Sequence, residues 1–301
     1  MNPDIVITPS SFGKVSTKAF SLLKKYFKNI KINESGKKIP SHEVVSFYEN
    51  VEYSIAGLEL LDRKNLDQLP NLKIISRVGI GVDNIDLEYA KKREIKILNT
   101  PNPPSEAVAE MVISAALALS RNIFSYNSDL HNAVWNKSIS NSLKNKNIFL
   151  VGFGRIGRKV ANSFSFFGSK VSYFDPHVVD SDYEKVSLIE GLEKADIISI
   201  HSNAKNEIIG KDEFSKIKTG AIILNSSRGF HINEKELINN LSSKKIKSCW
   251  LDVFENEPYE GELLKFSNAI LTPHVSTYTE SCREEMELEA VKNLLEEMAI
   301  E

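Results

Sequence analysis

Short apolar runs alternate with longer stretches of helical spacing along most of this chain. Asp4-Ile5-Val6-Ile7-Thr8 predicts a buried first strand, and Val15 to Phe27 has the periodicity of a helix. Further strands are predicted near Ile30-Lys31-Ile32, Tyr53-Ser54-Ile55-Ala56, Leu72 to Ser76 and Ile95 to Leu98, with a helix over Leu87 to Arg93. Strands that alternate with helices imply a parallel sheet. Thr100-Pro101-Asn102-Pro103-Pro104 is the clearest break in the pattern and a candidate crossing between domains. Ser105 is expected to cap a helix that runs to about Ser120. A polar stretch follows to Asn147, with Trp135 as its main apolar anchor. A second unit of the same alternation runs from Ile148 to about His274. Its strands are predicted near Ile148–Val151, Lys170–Phe174, Ile197–Ile200, Ala221–Leu224, Lys247–Leu251 and Ala269–Leu271. A charged helix from Thr279 to Met298 closes the chain.

Length and composition narrow the class. At 301 residues the chain is long for a single core, so two domains are expected. Apolar content of 42% and charged content of 26% fit a soluble globular protein. A formal charge of −2 argues against a nucleic-acid partner. Met111 to Leu119, the most apolar stretch, is too short to cross a bilayer, and Pro3 and Asp4 stand where a signal peptide would be basic. No membrane partner is therefore expected. Two cysteines, Cys249 and Cys282, cannot build a disulfide framework, and no cluster of Cys and His suggests a metal. They read as free thiols in a reducing cytoplasm.

The most specific local signal is Gly152-Phe153-Gly154-Arg155-Ile156-Gly157. It follows the run Ile148 to Val151 and opens a helical segment, and Asp175 ends the next apolar run eighteen residues after Gly157. A strand, a glycine turn, a helix and a terminal acid are the parts of a dinucleotide site. The glycines permit a tight turn and close approach of the backbone to a pyrophosphate, which then rests on the helix N-terminus. The acid accepts from both ribose hydroxyls of NAD and repels the 2′-phosphate of NADP, so NAD is the expected cofactor.

Three further segments lie at predicted strand ends: Leu224 to Gly229, Leu251 to Pro258, and Leu271 to His274. Ligands of doubly wound sheets bind beyond the carboxyl ends of the strands. Arg228, Glu257 and His274 should therefore converge there. Taken singly, each has an ordinary use: a surface ion pair, a turn before Pro258, a histidine bonded to a backbone carbonyl. Taken together they suit hydride transfer to a carbonyl. Arginine grips a carboxylate at two points, histidine exchanges a proton near neutral pH, and an adjacent carboxylate favours the imidazolium.

These residues carry a family resemblance. The chain resembles the D-isomer-specific 2-hydroxyacid dehydrogenases, the group that holds phosphoglycerate dehydrogenase, hydroxypyruvate reductase and D-lactate dehydrogenase. The match covers nearly the whole chain. It includes Ala56-Gly57-Leu58-Glu59, Ser76 to Asp86, Ser105 to Glu110, the glycine fingerprint and the three segments above. The resemblance implies two doubly wound α/β domains. One is a flavodoxin-like substrate domain of residues 1–98 plus 277–301, and the other a Rossmann NAD-binding domain of residues 99–276. It implies that Arg228 binds the substrate carboxylate and keto oxygen, that His274 is the acid and base, and that Glu257 pairs with it. Formate dehydrogenases of the group carry glutamine in place of that glutamate. It further implies that Asp252 and the backbone at Ser227 hold the nicotinamide amide. The amides of Ile80 and Gly81 would hold the carboxylate. The helix after Pro104 and the arm to Asn147 resemble a dimer-forming segment, so a homodimer is expected.

Gly57, Gly79 and Gly81 are read as leaving backbone N–H groups open to an anion. They sit in turns that follow apolar runs, as does the loop from Pro9 to Lys14. Two departures from the family stand out. Pro104 replaces an asparagine whose amide can face substrate, and the segment from His201 to Glu207 is short. His201 itself reads as structural. Phosphoglycerate and hydroxypyruvate or glyoxylate both stay open as substrates. Phosphoglycerate is slightly favoured, with Lys14 and Arg77 as candidate cations for a phosphate. A nonenzymatic NAD-sensing regulator on the same fold is the alternative that the intact trio argues against.

Overall fold

The computed structural model describes residues 4–180 and 182–299, and the chain divides into two compact units, Met1–Pro104 with Tyr278–Glu301, and Ser105–Thr277. Both are α/β.

The first unit runs β1 (Ile5–Ile7), α1 (Lys18–Leu23), β2 (Ile30–Ile32), α2 (Val44–Tyr48), β3 (Tyr53–Ala56), α3 (Arg63–Asp67), β4 (Ile74–Arg77), α4 (Leu87–Lys92) and β5 (Lys96–Leu98). All neighbouring strands pair in parallel, in the order β2-β1-β3-β4-β5. This is the flavodoxin-like order. Ile5, Val6 and Ile7 are fully buried because β1 is central and covered on both faces. Helix α1 is shorter than the periodicity predicts. Phe27 reaches the core from the turn after the helix, so its apolar position does not extend it.

The second unit runs α5 (Pro104–Ser120), α6 (Ile123–His131), β6 (Asn147–Val151), α7 (Arg155–Phe166), β7 (Lys170–Phe174), β8 (Glu184–Lys185), α8 (Leu188–Lys194), β9 (Ile197–Ile200), α9 (Lys211–Lys216), β10 (Ala221–Asn225), α10 (Glu234–Ser242), β11 (Ile246–Leu251) and β12 (Ala269–Leu271). Its seven parallel strands lie in the order β12-β11-β10-β9-β6-β7-β8, the Rossmann order with one strand added at the edge. Alternate residues feed two cores. Ile148, Leu150, Leu224 and Trp250 pack on one face with Val108, Val112 and Phe164. Phe149, Val151, Ile223 and Leu251 pack on the other with Leu192, Phe214 and Leu237. Each such side chain removed from water contributes about 1.5–3 kcal/mol, which is why these strands read as continuous apolar runs.

The terminal helix α11 (Glu280–Met298) belongs to the first unit and is capped by Thr279, whose hydroxyl accepts from the Cys282 N–H.

The first crossing falls at Pro104–Ser105, later than the expected residue 98. The exit of β5 is the reason. The Thr100 N–H donates to the Gly79 carbonyl and its hydroxyl accepts from the Gly79 N–H at 2.8 Å. Asn99 Nδ2 donates to the Ile80 carbonyl, and Asn102 Nδ2 donates to Glu289 on α11. The second crossing falls at 277–278 rather than 276–277. Ser105 is not a cap: Pro104 opens α5, and the Ser105 hydroxyl is buried without a hydrogen bond among the described residues. Trp135 is no anchor either, being 77% exposed in an irregular arm. Helix α6 precedes that arm and buries none of its residues, so it left no periodic signal.

Candidate active site

The nucleotide-binding turn lies between β6 and α7, beside the exit of β9, where the strand order reverses. Its three glycines do different work. Gly152 has φ +97°, and a Cβ there would lie 2.6 Å from the carbonyl carbon of His201. Only a residue without Cβ lets the two strand exits come this close. A Cβ on Gly157 would lie 2.4 Å from the Gly152 carbonyl oxygen, so α7 packs directly on the turn. Gly154 is exposed, and its Cβ position meets no protein atom within 4 Å. That open face, next to the first N–H groups of α7 at Arg155, Ile156 and Gly157, fits a pyrophosphate.

Asp175 follows β7 and is half-buried. Its Oδ2 accepts from the Phe153 N–H at 2.8 Å, and its Oδ1 from the N–H groups of His177 and Val178. Burial pushes its pKa up, but the three backbone donors outweigh this and hold it below the usual carboxylate range. A fixed anion thus stands where a dinucleotide's adenosine ribose would lie. His201 is held neutral, with its pKa lowered to about 3 by burial. Its Nε2 bonds Ser199 Oγ at 2.8 Å. It acts as a structural group between two strand exits.

Arg228, Glu257 and His274 follow the adjacent strands β10, β11 and β12. His274 Nδ1 lies 2.9 Å from Glu257 Oε2, and Glu257 Oε1 accepts from the Phe254 N–H at 3.0 Å. Burial would raise the Glu257 pKa. The hydrogen bond and charge of His274, then the Phe254 N–H and the Arg228 charge, outweigh it and lower the pKa. The pairing fixes the tautomer: Nδ1–H faces the glutamate, which leaves Nε2 to give or take a proton. The Arg228 main chain is fixed by Asn225, whose Nδ2 donates to the Arg228 carbonyl at 2.8 Å, while Nη1 donates to the Ser227 carbonyl. Gly229 lets this turn press on the next strand exit, since a Cβ there would lie 2.0 Å from the Phe254 carbonyl carbon.

A family model for the NAD-binding domain of D-isomer-specific 2-hydroxyacid dehydrogenases matches residues 113–276. The chain belongs to this family. It is similar to a hydroxypyruvate reductase of Thermotoga maritima, with 36% identity over 241 residues that cover 76% of this chain and 79% of that one. A glyoxylate reductase of Thermococcus litoralis is 31% identical, over 98% of this chain and 93% of the other. A D-3-phosphoglycerate dehydrogenase of Methanocaldococcus jannaschii is 34% identical over 73% of this chain but only 44% of its own length. A solved D-lactate dehydrogenase of Aquifex aeolicus, complexed with NAD and lactic acid, superposes with a TM-score of 0.84 at 25% identity, covering 98% of this chain and 95% of the other. This 2-hydroxyacid dehydrogenase is therefore an NAD-dependent oxidoreductase that interconverts a 2-hydroxy acid and its 2-keto acid.

Several expected ligand contacts in the dehydrogenase are corrected by its own hydrogen bonds. Gly57 is buried, and its N–H donates to Thr8 Oγ1 at 2.8 Å and to Glu59 Oε2 at 3.0 Å. Gly79 donates to Thr100 Oγ1 and to the Arg77 carbonyl. Neither amide is left open to an anion, because each closes its own turn. Ile80, 38% exposed, and Gly81 differ: neither N–H has a protein acceptor among the described residues. Asp252, expected at the nicotinamide amide, is 1% exposed and accepts from Thr272, Val275 and Ser276, with its Oδ2 taking only the last, so that oxygen keeps a lone pair. Ser227 likewise donates its N–H to Asn225, and its hydroxyl lies between Asn225 Oδ1 and His231 Nδ1. Only its carbonyl, which accepts from Arg228, keeps a lone pair.

The residues missed from sequence are those that hold these turns. Glu59 is buried and accepts from Thr8 and Tyr48, each at 2.6 Å. Buried His231 bridges Ser227 and the Ala204 carbonyl, tying the exits of β9 and β10 together. Asn225 signals itself only as a polar residue ending an apolar strand.

Proposed function

We propose that the dehydrogenase reduces a small unphosphorylated 2-keto acid of the glyoxylate or hydroxypyruvate kind to its 2-hydroxy acid, the D isomer where a stereocentre forms. The observation that carries the reading is the Glu257–His274 pair at 2.9 Å, with Arg228 on the neighbouring strand exit. Arg228 holds the carboxylate and keto oxygen, and its planar fork also aligns the carbonyl. His274, charged and held at Nδ1 by Glu257, gives the proton on Nε2 to the keto oxygen as the carbonyl carbon is reduced. Bound NADH supplies the hydride. In the reverse direction neutral His274 takes the hydroxyl proton, and Glu257 stabilises the imidazolium that forms. Within the first unit the amides of Ile80 and Gly81 stay open, whereas that of Gly57 does not.

Two observations favour a substrate without phosphate. Relatives named for hydroxypyruvate and glyoxylate match over most of both chains. Arg77, a candidate phosphate ligand, turns back on its own strand exit, with Nη1 donating to the Val78 carbonyl at 2.8 Å. NADH consumption with glyoxylate, hydroxypyruvate, phosphohydroxypyruvate and pyruvate tests the reading. Faster turnover with the phosphorylated acid would overturn the substrate class, and no turnover with any of them would overturn the reaction.

A homodimer is part of this proposal. Helix α6, the arm after it and the end of α7 leave Phe124, Leu130, Trp135, Ile139 and Phe166 more than half exposed, an apolar face suited to a second copy. Sedimentation equilibrium that returns a monomer would refute it. The buried free thiols Cys249 and Cys282 favour a reducing compartment such as the cytoplasm.

A further inference from the structure

The turn that carries Glu257 has no main-chain hydrogen bonds of its own. Among the described residues, none from Phe254 to Glu260 shares a hydrogen bond with another backbone group. Residues 255–258 are exposed, so core packing does not hold them either. Glu257 nevertheless keeps its carboxylate 2.9 Å from His274 Nδ1. Its placement is therefore set by side chains at the two ends of the turn.

Those ends are closed by an aromatic pair. Phe254 and Tyr259 flank the exposed residues, and their rings stack with centroids 4.3 Å apart and planes 23° from parallel. Both pack against the core that holds Ile223, Leu237 and Leu251. Phe254 also reaches the glutamate directly, its N–H donating to Glu257 Oε1 at 3.0 Å. Tyr259 is fixed at its far end. Its hydroxyl donates to Glu234 Oε1, in the first turn of α10, at 2.7 Å and accepts from the Leu263 N–H at 3.2 Å. Gly261 leaves room for that hydroxyl, since a Cβ there would lie 2.2 Å from its oxygen. Burial, and then the bond to Glu234, push the Tyr259 pKa up to about 12, so the hydroxyl stays a donor at neutral pH. Contact is thus continuous from α10 through the two rings to the glutamate and the imidazole.

We infer that Tyr259 is a positioning residue for Glu257: tied to Glu234, it clasps the turn through Phe254 and keeps the carboxylate on His274 Nδ1. The inference rests on the proton-transfer role proposed for the Glu257–His274 pair. It carries its own limit. A residue that acts only through the glutamate costs no more than loss of the glutamate's charge, and it costs nothing once that charge is gone. A strut that merely holds the fold has no such limit.

A double-mutant cycle in the full-length protein separates the two, read as kcat for oxidation of D-glycerate with NAD. Tyr259→Phe keeps the stack and loses the hydroxyl, and should lower kcat about two- to fivefold, the scale of one hydrogen bond. Tyr259→Leu also loses the stack and should fall further, toward the roughly tenfold loss expected of Glu257→Gln. In the Glu257→Gln background either change should cost less than about 1.5-fold. Glu234→Ala should match Tyr259→Phe, and Glu234→Gln, which keeps an acceptor for the hydroxyl, should lose less. Tyr259→Phe and the Glu234 variants report if Tyr259→Leu does not fold. NAD Kd by fluorescence should not move in any of them. If Glu257→Gln slows oxidation while the Tyr259 variants keep wild-type kcat, multiply their losses with that of Glu257→Gln, or weaken only NAD binding, the positioning role is wrong and the pair's role stands. If Glu257→Gln and His274→Ala leave oxidation intact, the proton-transfer reading fails first, and the positioning role fails with it.

Discussion

Replacing Glu257 with glutamine removes one charge from a defined pair and leaves most of its volume. The carboxylate lies 2.9 Å from His274 Nδ1. At about 3 Å, two unit charges attract by about 1.4 kcal/mol in water and about 5.5 kcal/mol at an effective dielectric of 20. Both side chains are more than a third exposed, so the water limit is the better guide. About 1.4 kcal/mol is a factor of ten in a rate. The coupling shows on the glutamate, whose pKa is lowered against the push of its own burial, chiefly by His274. The sign follows directly. Oxidation places a positive charge on the imidazole beside the glutamate, so the carboxylate stabilises the charge that develops as the hydroxyl proton is taken. Without it, kcat for oxidation of the hydroxy acid should fall by up to about tenfold at fixed pH, with the NAD Kd unchanged. The assay is kcat for oxidation with NAD, in wild type and Glu257→Gln at one pH. A variant that oxidises the hydroxy acid as fast as wild type would refute the coupling.

His274→Ala should lower kcat by about 10²–10⁴ with NADH affinity unchanged, since the proton is needed only as the carbonyl is reduced; a loss under tenfold would contradict this. NADH should be preferred to NADPH by about 10²-fold or more, because Asp175 is a fixed anion without an arginine beside it, and Asp175→Ala should narrow the ratio in competing steady-state assays. Gly157→Ala should lower stability by about 1–3 kcal/mol in thermal unfolding, because its Cβ would lie 2.4 Å from a main-chain oxygen that has nowhere to move. Gly154→Ala should leave stability unchanged and raise the NADH Kd, since nothing in the protein occupies its Cβ position.

The sheets were legible because their strands are buried on both faces, which writes unbroken apolar runs such as Ile5 to Ile7 and Ile148 to Val151. Helix α6 was not, because a helix that buries nothing has no periodic stripe to read. The same distinction separates the trio from its supports. Arg228, Glu257 and His274 stand out in the sequence because each follows a readable strand and brings a chemistry that few residue types share. Asp252 stands at such an end too, and its type and place fit a cofactor ligand as well as a strut. Its bonds to Thr272, Val275 and Ser276, some twenty residues downstream on another strand exit, were not legible, because they depend on how two strand ends meet. Gly57 misled for the same reason. A glycine in a turn offers its N–H to an anion only if no nearer acceptor takes it, and buried Glu59, two residues on, is that acceptor. Buried turns spend most of their polar groups on holding themselves, because an unpaired buried donor costs more than a well-made ligand contact returns. Among the described residues of the second unit, the open face at Gly154 and Nε2 of His274 are left without such partners.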